Sequence, residues 1–333
     1  MTNGHVRGTS GMALALLTTL CLGVLASGPA AHPPAPRRLF VAGASAGVQG
    51  VPTPWRNQEL RWVVKSEAGA AGQDVQKSDA KGLISPRFPV PDVRVAVRMA
   101  LAVAPQDEPA AAITWELVVL PKDPIAEVRK TLGALGVGNL PGGPLDAALA
   151  RSGLEAAELQ HDLVRSQFKG RAVVLGGLLA QDADATRRWV SSLPKEVRII
   201  VVLRGDDANS PLAILPSLKA QKAPPDSNLR ADSLSPLWRD FPVEWVCEQL
   251  PSLVLAQPRN MLSLRLLAAY TDKEGAAYPL AMESQDAEGH HWLIWNPAWA
   301  ATDNDPRWDI LLKNSLLWAA SDQTRAIPDS RRP

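Results

Sequence analysis

The chain has 333 residues, of which 46% are apolar, and its 35 basic and 34 acidic side chains leave a net charge of +1. This length and composition predict one large or two modest globular domains. A charge balance so close to neutral excludes a broad electrostatic surface for nucleic acid or anionic lipid, which needs clustered Lys and Arg.

The first 31 residues have the pattern of a secretory signal peptide. His5 and Arg7 give a weakly basic start, residues 12–25 are almost entirely apolar, and small residues follow at 26–31. The apolar stretch is shorter than the roughly 20 residues that a transmembrane helix needs, which favours cleavage over an uncleaved N-terminal anchor. We therefore expect an exported protein, periplasmic or secreted, that contacts the membrane only through this signal if it is uncleaved.

The two cysteines predict neither a lipid anchor nor a disulfide. Cys21 lacks the small preceding residue that a lipidation site requires. Once residues 1–31 are removed, Cys247 is alone, so it can form neither an intrachain disulfide nor a Cys-based zinc site. We expect it to be a buried thiol in a helix over residues 241–250.

Residues 32–110 predict a small β-rich N-terminal region. Residues 93–103 alternate between apolar side chains on one face and polar ones on the other, which is typical of a half-buried strand. Residues 106–109 predict the turn that follows it, and residues 113–120 predict the next strand.

From about residue 112 the pattern changes to strands that alternate with helices. Helices are predicted from the N-cap Asp123 to residue 135, over 145–160 and over 183–193. The intervening strands at 171–177 and 197–203 are apolar on both faces. Such strands predict an α/β fold with a doubly wound, mostly parallel, flavodoxin-like sheet covered by helices on both sides.

The C-terminal third continues with a polar insertion at 205–236 and three more strands. These strands are predicted at residues 263–270, 277–282 and 291–295. A final helix over 308–320 and a disordered tail at 323–333 complete the chain.

Several segments carry a resemblance to a known family. They are Asp123-Pro124 after a strand, Asp162-Leu163 and Phe168 before the strand at 171–177, residues 187–190 before the next strand, HHWLIWNPAW at 290–299 and LLKNSLLWAAS at 311–321. With the order of elements, they resemble the class I glutamine-amidotransferase-like fold, and most closely its ThuA-like (trehalose-utilisation) and related exported domains. The resemblance covers an α/β domain at residues 111–322.

The resemblance implies two catalytic positions that this chain does not fill. The family's Cys would follow the strand at 197–203, where this chain has Arg204-Gly205-Asp206-Asp207. Its His-Pro-Glu would fall at Asn296-Pro297-Ala298. Without a thiolate and its base the covalent route has no nucleophile, so glutamine hydrolysis is not expected.

The strand ends still predict a ligand-binding cleft, because ligands of open parallel sheets bind beyond the carboxyl ends of the strands. A purely structural role in turns and caps is the alternative for these side chains. The candidate ligand-binding residues are Gly176, Gly177, Arg204, Asp206, Asp207 and Asn296.

Two further motifs carry less weight. Ser45 lies in a G-x-S-x-G pattern, but the residues that follow cannot form the helix of a hydrolase nucleophile turn, which favours a loop. His290 and His291 are adjacent, so on a strand they point to opposite faces and do not form one metal site. No catalytic residue, metal site or cofactor is therefore predicted.

Trp is unusually abundant, with eleven residues against six Tyr and Phe combined. Most of these fit apolar positions of predicted elements and favour core packing. Trp299 and Trp55 are the expected exposed exceptions, and an exposed indole can stack on a sugar ring.

Together these observations predict an exported, non-catalytic amidotransferase-like domain that acts as a binding or scaffolding module at the cell envelope. Its expected partner is an envelope protein or a small-molecule or carbohydrate ligand, and no nucleic acid. Two alternatives remain. One is an exported hydrolase of carbohydrate or ester substrates that uses Ser45 or the carboxylates of Asp206 and Asp207, and the other is a structural domain of an envelope assembly.

Overall fold

A computed structural model describes most of the chain. The described residues are 38–43, 45–48, 50–67, 69–159, 168–179, 182–203, 214–215, 218–238, 241–256, 261–299, 302 and 304–321. The predicted signal at 1–31 and the predicted tail at 323–333 lie outside these ranges. None of the helices within the described ranges is long and apolar enough to span a membrane.

The described residues of the N-terminal part form nine strands. They are β1 (Arg38–Val41), β2 (Ser45–Gly47), β3 (Val51–Pro52), β4 (Glu59–Ser66), β5 (Gly69–Lys77), β6 (Leu83–Ile84), β7 (Arg87–Pro89), β8 (Val97–Pro105) and β9 (Ile113–Leu120). Five of them form a sheet in the order β1-β9-β8-β4-β5, in which β1 and β9 pair parallel and the other pairs are antiparallel. The pairs β2–β7 and β3–β6 form short antiparallel ribbons.

Alternation of side chains explains the N-terminal core. Along β4, Leu60, Trp62 and Val64 are buried while the residues between them are more exposed, as expected for a strand with one covered face. These side chains pack against residues of the ribbons such as Ile84 and Phe88. The predicted β-rich character of this region is thus present in the structure.

The rest of the described chain contains ten strands and four α-helices. They are α1 (Arg129–Gly133), β10 (Val137–Leu140), α2 (Leu145–Ser152), β11 (Ala156–Glu158), β12 (Ala172–Leu175), α3 (Ala183–Ser191), β13 (Arg198–Val202), β14 (Leu218–Ala220), β15 (Asn228–Ala231), β16 (Leu253–Leu255), β17 (Met261–Thr271), β18 (Ala277–Asp286), β19 (His291–Trp295) and α4 (Arg307–Ala320). Eight of these strands form one sheet in the order β11-β10-β12-β13-β19-β18-β17-β15.

The predicted fold class, a doubly wound and mostly parallel α/β sheet, is wrong. Five neighbouring strands of this sheet pair parallel, in the order β11-β10-β12-β13-β19. The other three, β18, β17 and β15, extend the sheet with antiparallel pairs. With the largely antiparallel N-terminal sheet, the molecule is a β-rich protein with mixed sheets. The physical reason is that β17 and β18 form an antiparallel hairpin, whose long strands need no crossover helix.

Some predicted helices are shorter than expected. Asp123 accepts a hydrogen bond from the Ile125 backbone N–H (3.1 Å), but α1 begins only at Arg129. The predicted helix at 241–250 is a short 3-10 helix, Val243–Val246, because the backbone N–H groups of Glu248 and Gln249 donate to the Ala298 carbonyl (2.8 Å each) instead of continuing the helix. Cys247 is fully buried, as predicted, and its Sγ lies 2.8 Å from the Tyr270 hydroxyl oxygen.

Strand β9 is shared between the two cores. Leu117 and Val119 pack into the N-terminal core, whereas Val118 and Leu120 pack into the core of the eight-stranded sheet, which includes α2 and α4. This follows from the alternation of side chains along a strand. The two sheets are therefore joined through the side chains of one strand.

Candidate functional site

Two glycine loops meet at the carboxyl ends of β10 and β12. Gly176 donates its N–H to the Leu140 carbonyl (2.8 Å), and a Cβ atom at Gly176 would lie 2.4 Å from the backbone N of Gly143. A Cβ at Gly177 would lie 2.7 Å from the Pro141 carbonyl oxygen. The absence of a side chain at Gly176 and Gly177 thus lets the two loop backbones lie in contact.

The Asp146 carboxylate accepts the hydrogen bonds of the donors around these glycine loops. Its carboxylate accepts hydrogen bonds from the backbone N–H groups of Gly142 (2.7 Å) and Gly143 (3.1 Å). The Asn139 side-chain amide donates to the same carboxylate (3.1 Å). The two backbone donors just before α2 and the Asn139 amide of β10 are therefore already paired with a carboxylate of the protein itself.

The remaining residues of the predicted cleft divide into two groups. Asn296 follows β19, is buried, and donates its side-chain amide to the Pro279 carbonyl (2.9 Å). Arg204, Asp206 and Asp207 lie outside the described residues. The predicted cleft therefore stays a prediction.

The other sequence motifs occupy structural positions. Ser45 lies in β2, which pairs antiparallel with β7, so its backbone is a strand where a loop was expected, and it does not form a strand-to-helix turn. His290 is buried, with Nδ1 3.0 Å from Asp286 Oδ2 and Nε2 2.9 Å from the Leu193 carbonyl oxygen. Among the described residues, no three His, Cys, Asp or Glu side chains are grouped in a way that could hold a metal ion.

Neither tryptophan that was expected to be exposed is fully so. Trp299 is 9% exposed and packs on Trp308, so it belongs to the core. Trp55 is half-buried and lines an open cavity of about 680 Å³ at one end of the five-stranded sheet. We call this cavity the Trp55 cleft; its lining residues are Trp55, Gln58, Glu59, Pro105, Gln106, Asp107 and Glu108.

Strand register brings the two sides of the Trp55 cleft together. Leu60 on β4 pairs with Pro105 at the end of β8. This register sets Glu59, the first residue of β4, beside Gln106, the first residue of the turn after β8. Segments about 50 residues apart in sequence thereby face each other across one cavity.

A second loop fixes the segment that carries Trp55. The Thr53 N–H and hydroxyl both donate to the Gly82 carbonyl (2.8 Å each), and the hydroxyl also lies 3.1 Å from the Trp55 carbonyl oxygen. Gly82 has φ +79°, and a Cβ there would lie 2.4 Å from the Thr53 carbonyl oxygen, so only glycine fits without displacement. The loop that holds Trp55 is thus anchored by backbone contacts.

The end of this segment is held in the same way. The Gln58 N–H donates to the Ser78 hydroxyl (3.1 Å), the Ser78 N–H donates to the Gln58 carbonyl (2.9 Å), and the Asn57 N–H donates to the Asp79 carbonyl (3.2 Å). Asn57 has φ +55°, a conformation that Asn tolerates better than most side chains. The backbone on both sides of Trp55 is consequently held by the neighbouring loop.

Asp79 organises the supporting loop through its carboxylate. The Leu83 and Lys81 N–H groups each donate to it at 2.8 Å. The bond from Leu83 is the main reason that the pKa of Asp79 lies below its usual value. Sequence reasoning identified Trp55 and the turn at 106–109 separately, but it missed that they form one cavity.

Comparisons with known proteins do not identify a family. No family model matches the chain, and no curated protein matches it. Among solved structures, the chain is similar to a sialyltransferase from Photobacterium damsela, with 11% sequence identity and a TM-score of 0.17 over 54% of this chain and 31% of that chain. The chain thus spans less than a third of the sialyltransferase, and a similarity this low supports no argument about fold or activity.

Proposed function

We propose that the protein is an exported, non-catalytic binding module of the cell envelope and that the Trp55 cleft is its ligand site. The observation that carries this proposal is the cleft itself, a cavity of about 680 Å³ lined by the half-buried Trp55 and by polar residues. Cavities that bind small molecules are commonly about 300–1,000 Å³. The Trp55 cleft lies within this range, although its lining is more polar than that of most such cavities.

The way the loop is built supports a binding role. Hydrogen bonds from Thr53 and Gln58 hold the Trp55 segment before any ligand arrives. A preorganised site loses less conformational entropy when it binds.

The binding role is tested with a panel of small ligands and two variants of one residue. Neutral sugars, amines and organic acids are screened by ligand-observed NMR against the wild-type chain, Trp55→Ala and Trp55→Phe. We expect at least one ligand to bind the wild type, to lose binding at least tenfold with Trp55→Ala, and to recover part of it with Trp55→Phe. If no ligand depends on Trp55, the proposed site is wrong.

Export is tested separately on the full-length chain carrying a C-terminal tag. After expression in a bacterial host, cell fractionation and N-terminal sequencing should find the protein outside the cytoplasm and starting near residue 32. A cytoplasmic product that retains residues 1–31 would contradict the export part of the proposal and leave the binding part intact.

A further inference from the structure

The buried ring of His290 lies between two hydrogen-bond acceptors. His290 is 1% exposed, with Nε2 2.9 Å from the Leu193 carbonyl oxygen and Nδ1 3.0 Å from Asp286 Oδ2. A carbonyl oxygen can only accept, so Nε2 carries a hydrogen. A neutral imidazole has a single N–H, and the contact with Leu193 uses it. The contact with Asp286 therefore needs a second hydrogen.

The other contacts of Asp286 indicate where this hydrogen belongs. The His290 backbone N–H donates to Oδ1 and the Trp292 Nε1–H donates to Oδ2, each at 2.8 Å. Donors on both oxygens favour the ionised carboxylate. A bare Nδ1 would then set its lone pair against an ionised oxygen at 3.0 Å, in a place from which water is excluded. The second hydrogen thus belongs to Nδ1, which makes the ring an imidazolium.

The two contacts of this ring link α3 to the eight-stranded sheet. Leu193 comes two residues after the end of α3, and Asp286 is the last residue of β18. Leu193 and Trp292 belong to the same apolar core, so the bond from the Trp292 indole to Asp286 also holds a core side chain. Loss of one proton from the ring would break its hydrogen bond either to Leu193 or to Asp286.

Charges of both signs surround this turn. Other titratable side chains near it in sequence and sheet are Lys195, Glu196, Glu288, Arg198 and His291. The first three are exposed, so water screens them. His291 is neutral at pH 7.5, because burial and then the charge of Arg198 lower its pKa below the usual 6.5. The Asp286 carboxylate is in direct contact with the ring, and its sign favours the proton.

We infer that His290 is an imidazolium at neutral pH and that its contacts with Asp286 and Leu193 form a pH-sensitive lock between α3 and the sheet. The lock is closed while the proton is bound, and it opens when the proton passes to water at alkaline pH. This inference is independent of the proposed ligand site, because it depends on the contacts of this turn and not on the Trp55 cleft.

The first test compares the stability of the full chain at pH 7.0 and pH 8.5 by urea unfolding. Histidines of an unfolded chain are mostly neutral in this range, since they titrate near pH 6.5. The folded chain then binds one proton more than the unfolded chain, so the free energy of unfolding falls as the pH rises. Relative to His290→Gln, the unfolding equilibrium constant of the wild type should rise at least threefold, against a limit of about tenfold per pH unit for one proton.

The variant Asp286→Asn separates the proton from the packing. Its amide nitrogen can donate to Nδ1, so the His290 ring then needs a hydrogen on Nε2 alone. The same amide loses the bond from Trp292 at every pH, and the readout is therefore the pH dependence of stability, which should fall to that of His290→Gln.

Nitrogen-15 NMR of the full chain with labelled histidine at pH 7.5 tests the charge directly. Both ring nitrogens of His290 should carry a hydrogen in the wild type, and one of them in Asp286→Asn. His291→Gln is the matched control and should keep both signals. A bare Nδ1 in the wild type, or an equal pH dependence in the wild type and His290→Gln, would overturn the inference. Both measurements remain decisive if Asp286→Asn does not fold.

Discussion

At the residue scale, the buried Arg307 makes several polar contacts at once. It is 4% exposed and donates to the carboxylates of Asp305 and Glu248 and to the Trp245 carbonyl. Its guanidinium also lies 4.5 Å from the ring centroid of Trp299. Burial alone would lower the pKa of Arg307, but the two carboxylates outweigh it and raise the pKa above the usual value.

Replacing this cation should be costly. We expect Arg307→Met to lower the free energy of unfolding by about 3–5 kcal/mol, because it leaves two largely buried carboxylates without their partner. The measurement is urea unfolding followed by circular dichroism. Arg187→Met, which removes the exposed pair of Arg187 with Asp184, is the control and should cost less than about 1 kcal/mol. Equal losses for the two variants would contradict the assigned role of Arg307.

His291 gives a prediction about pH. It lies on β19 beside Arg198 of β13, and burial, followed by the positive charge of Arg198, lowers its pKa below the usual 6.5. The unfolded chain therefore binds more protons than the folded one just below pH 6.5, so this residue makes stability fall as the pH drops through that range.

The variant His291→Gln should reduce this dependence. On going from pH 7.5 to pH 5.5, the urea midpoint should fall less, or rise more, in the variant than in the wild type. An unchanged difference would show that His291 has the same pKa in the folded and unfolded chains.

At the scale of elements, the glycine loops after β10 and β12 are in close backbone contact. We expect Gly176→Ala to destabilise the protein by about 1–3 kcal/mol, since its Cβ would lie 2.4 Å from the backbone N of Gly143. Gly133→Ala is the matched control, because a Cβ there meets nothing within 4 Å and the residue lies in α1. It should be neutral or stabilising by up to about 1 kcal/mol. Thermal unfolding distinguishes the two, and a neutral Gly176→Ala would contradict the close approach.

The sequence predicted individual elements better than their arrangement. The apolar runs that became β12, β13 and β19 and the helix α4 were found within a few residues, because each depends on its own hydrophobic pattern. The direction of β17 and β18 was missed, although residues 272–276 between them are too few for the crossover that parallel strands need. The apolar pattern of each strand alone does not distinguish a parallel from an antiparallel sheet.

The same limit applies to the candidate site. Trp55 was predicted to be exposed, although it is half-buried, and residues 106–109 were predicted as a turn. Their proximity depends on the pairing of Leu60 with Pro105, which is a tertiary contact and leaves no local signal in the sequence. For Asn296, the sequence predicted that it follows the strand at 291–295. It did not predict the buried hydrogen bond from its side chain to the Pro279 carbonyl.

At the scale of the whole molecule, β9 couples the two sheets. Leu117 and Leu120 are both fully buried, the first in the N-terminal core and the second in the core of the eight-stranded sheet. Because one strand contributes to both cores, neither can lose it without exposing apolar surface of the other. We therefore expect the described part of the chain to unfold as one cooperative unit.

Two alanine variants test this coupling. Leu117→Ala and Leu120→Ala should each cost about 2–5 kcal/mol. Each should also reduce hydrogen-exchange protection in both β4 and β19. Val75→Ala, at an exposed position of β5, is the control and should change stability by less than about 0.5 kcal/mol. If Leu117→Ala affected β4 alone, the two sheets would be energetically independent.

Through the shared strand β9, ligand binding in the Trp55 cleft should also affect the eight-stranded sheet. The turn that carries Gln106, Asp107 and Glu108 leads through a short 3-10 helix, Pro109–Ala111, directly into β9. A ligand at one hundred times its dissociation constant adds about 2.7 kcal/mol to the free energy of unfolding. In a single cooperative unit that increment reaches every amide that exchanges only through global unfolding. Occupancy of the cleft would then slow exchange in β19, a strand of the other sheet.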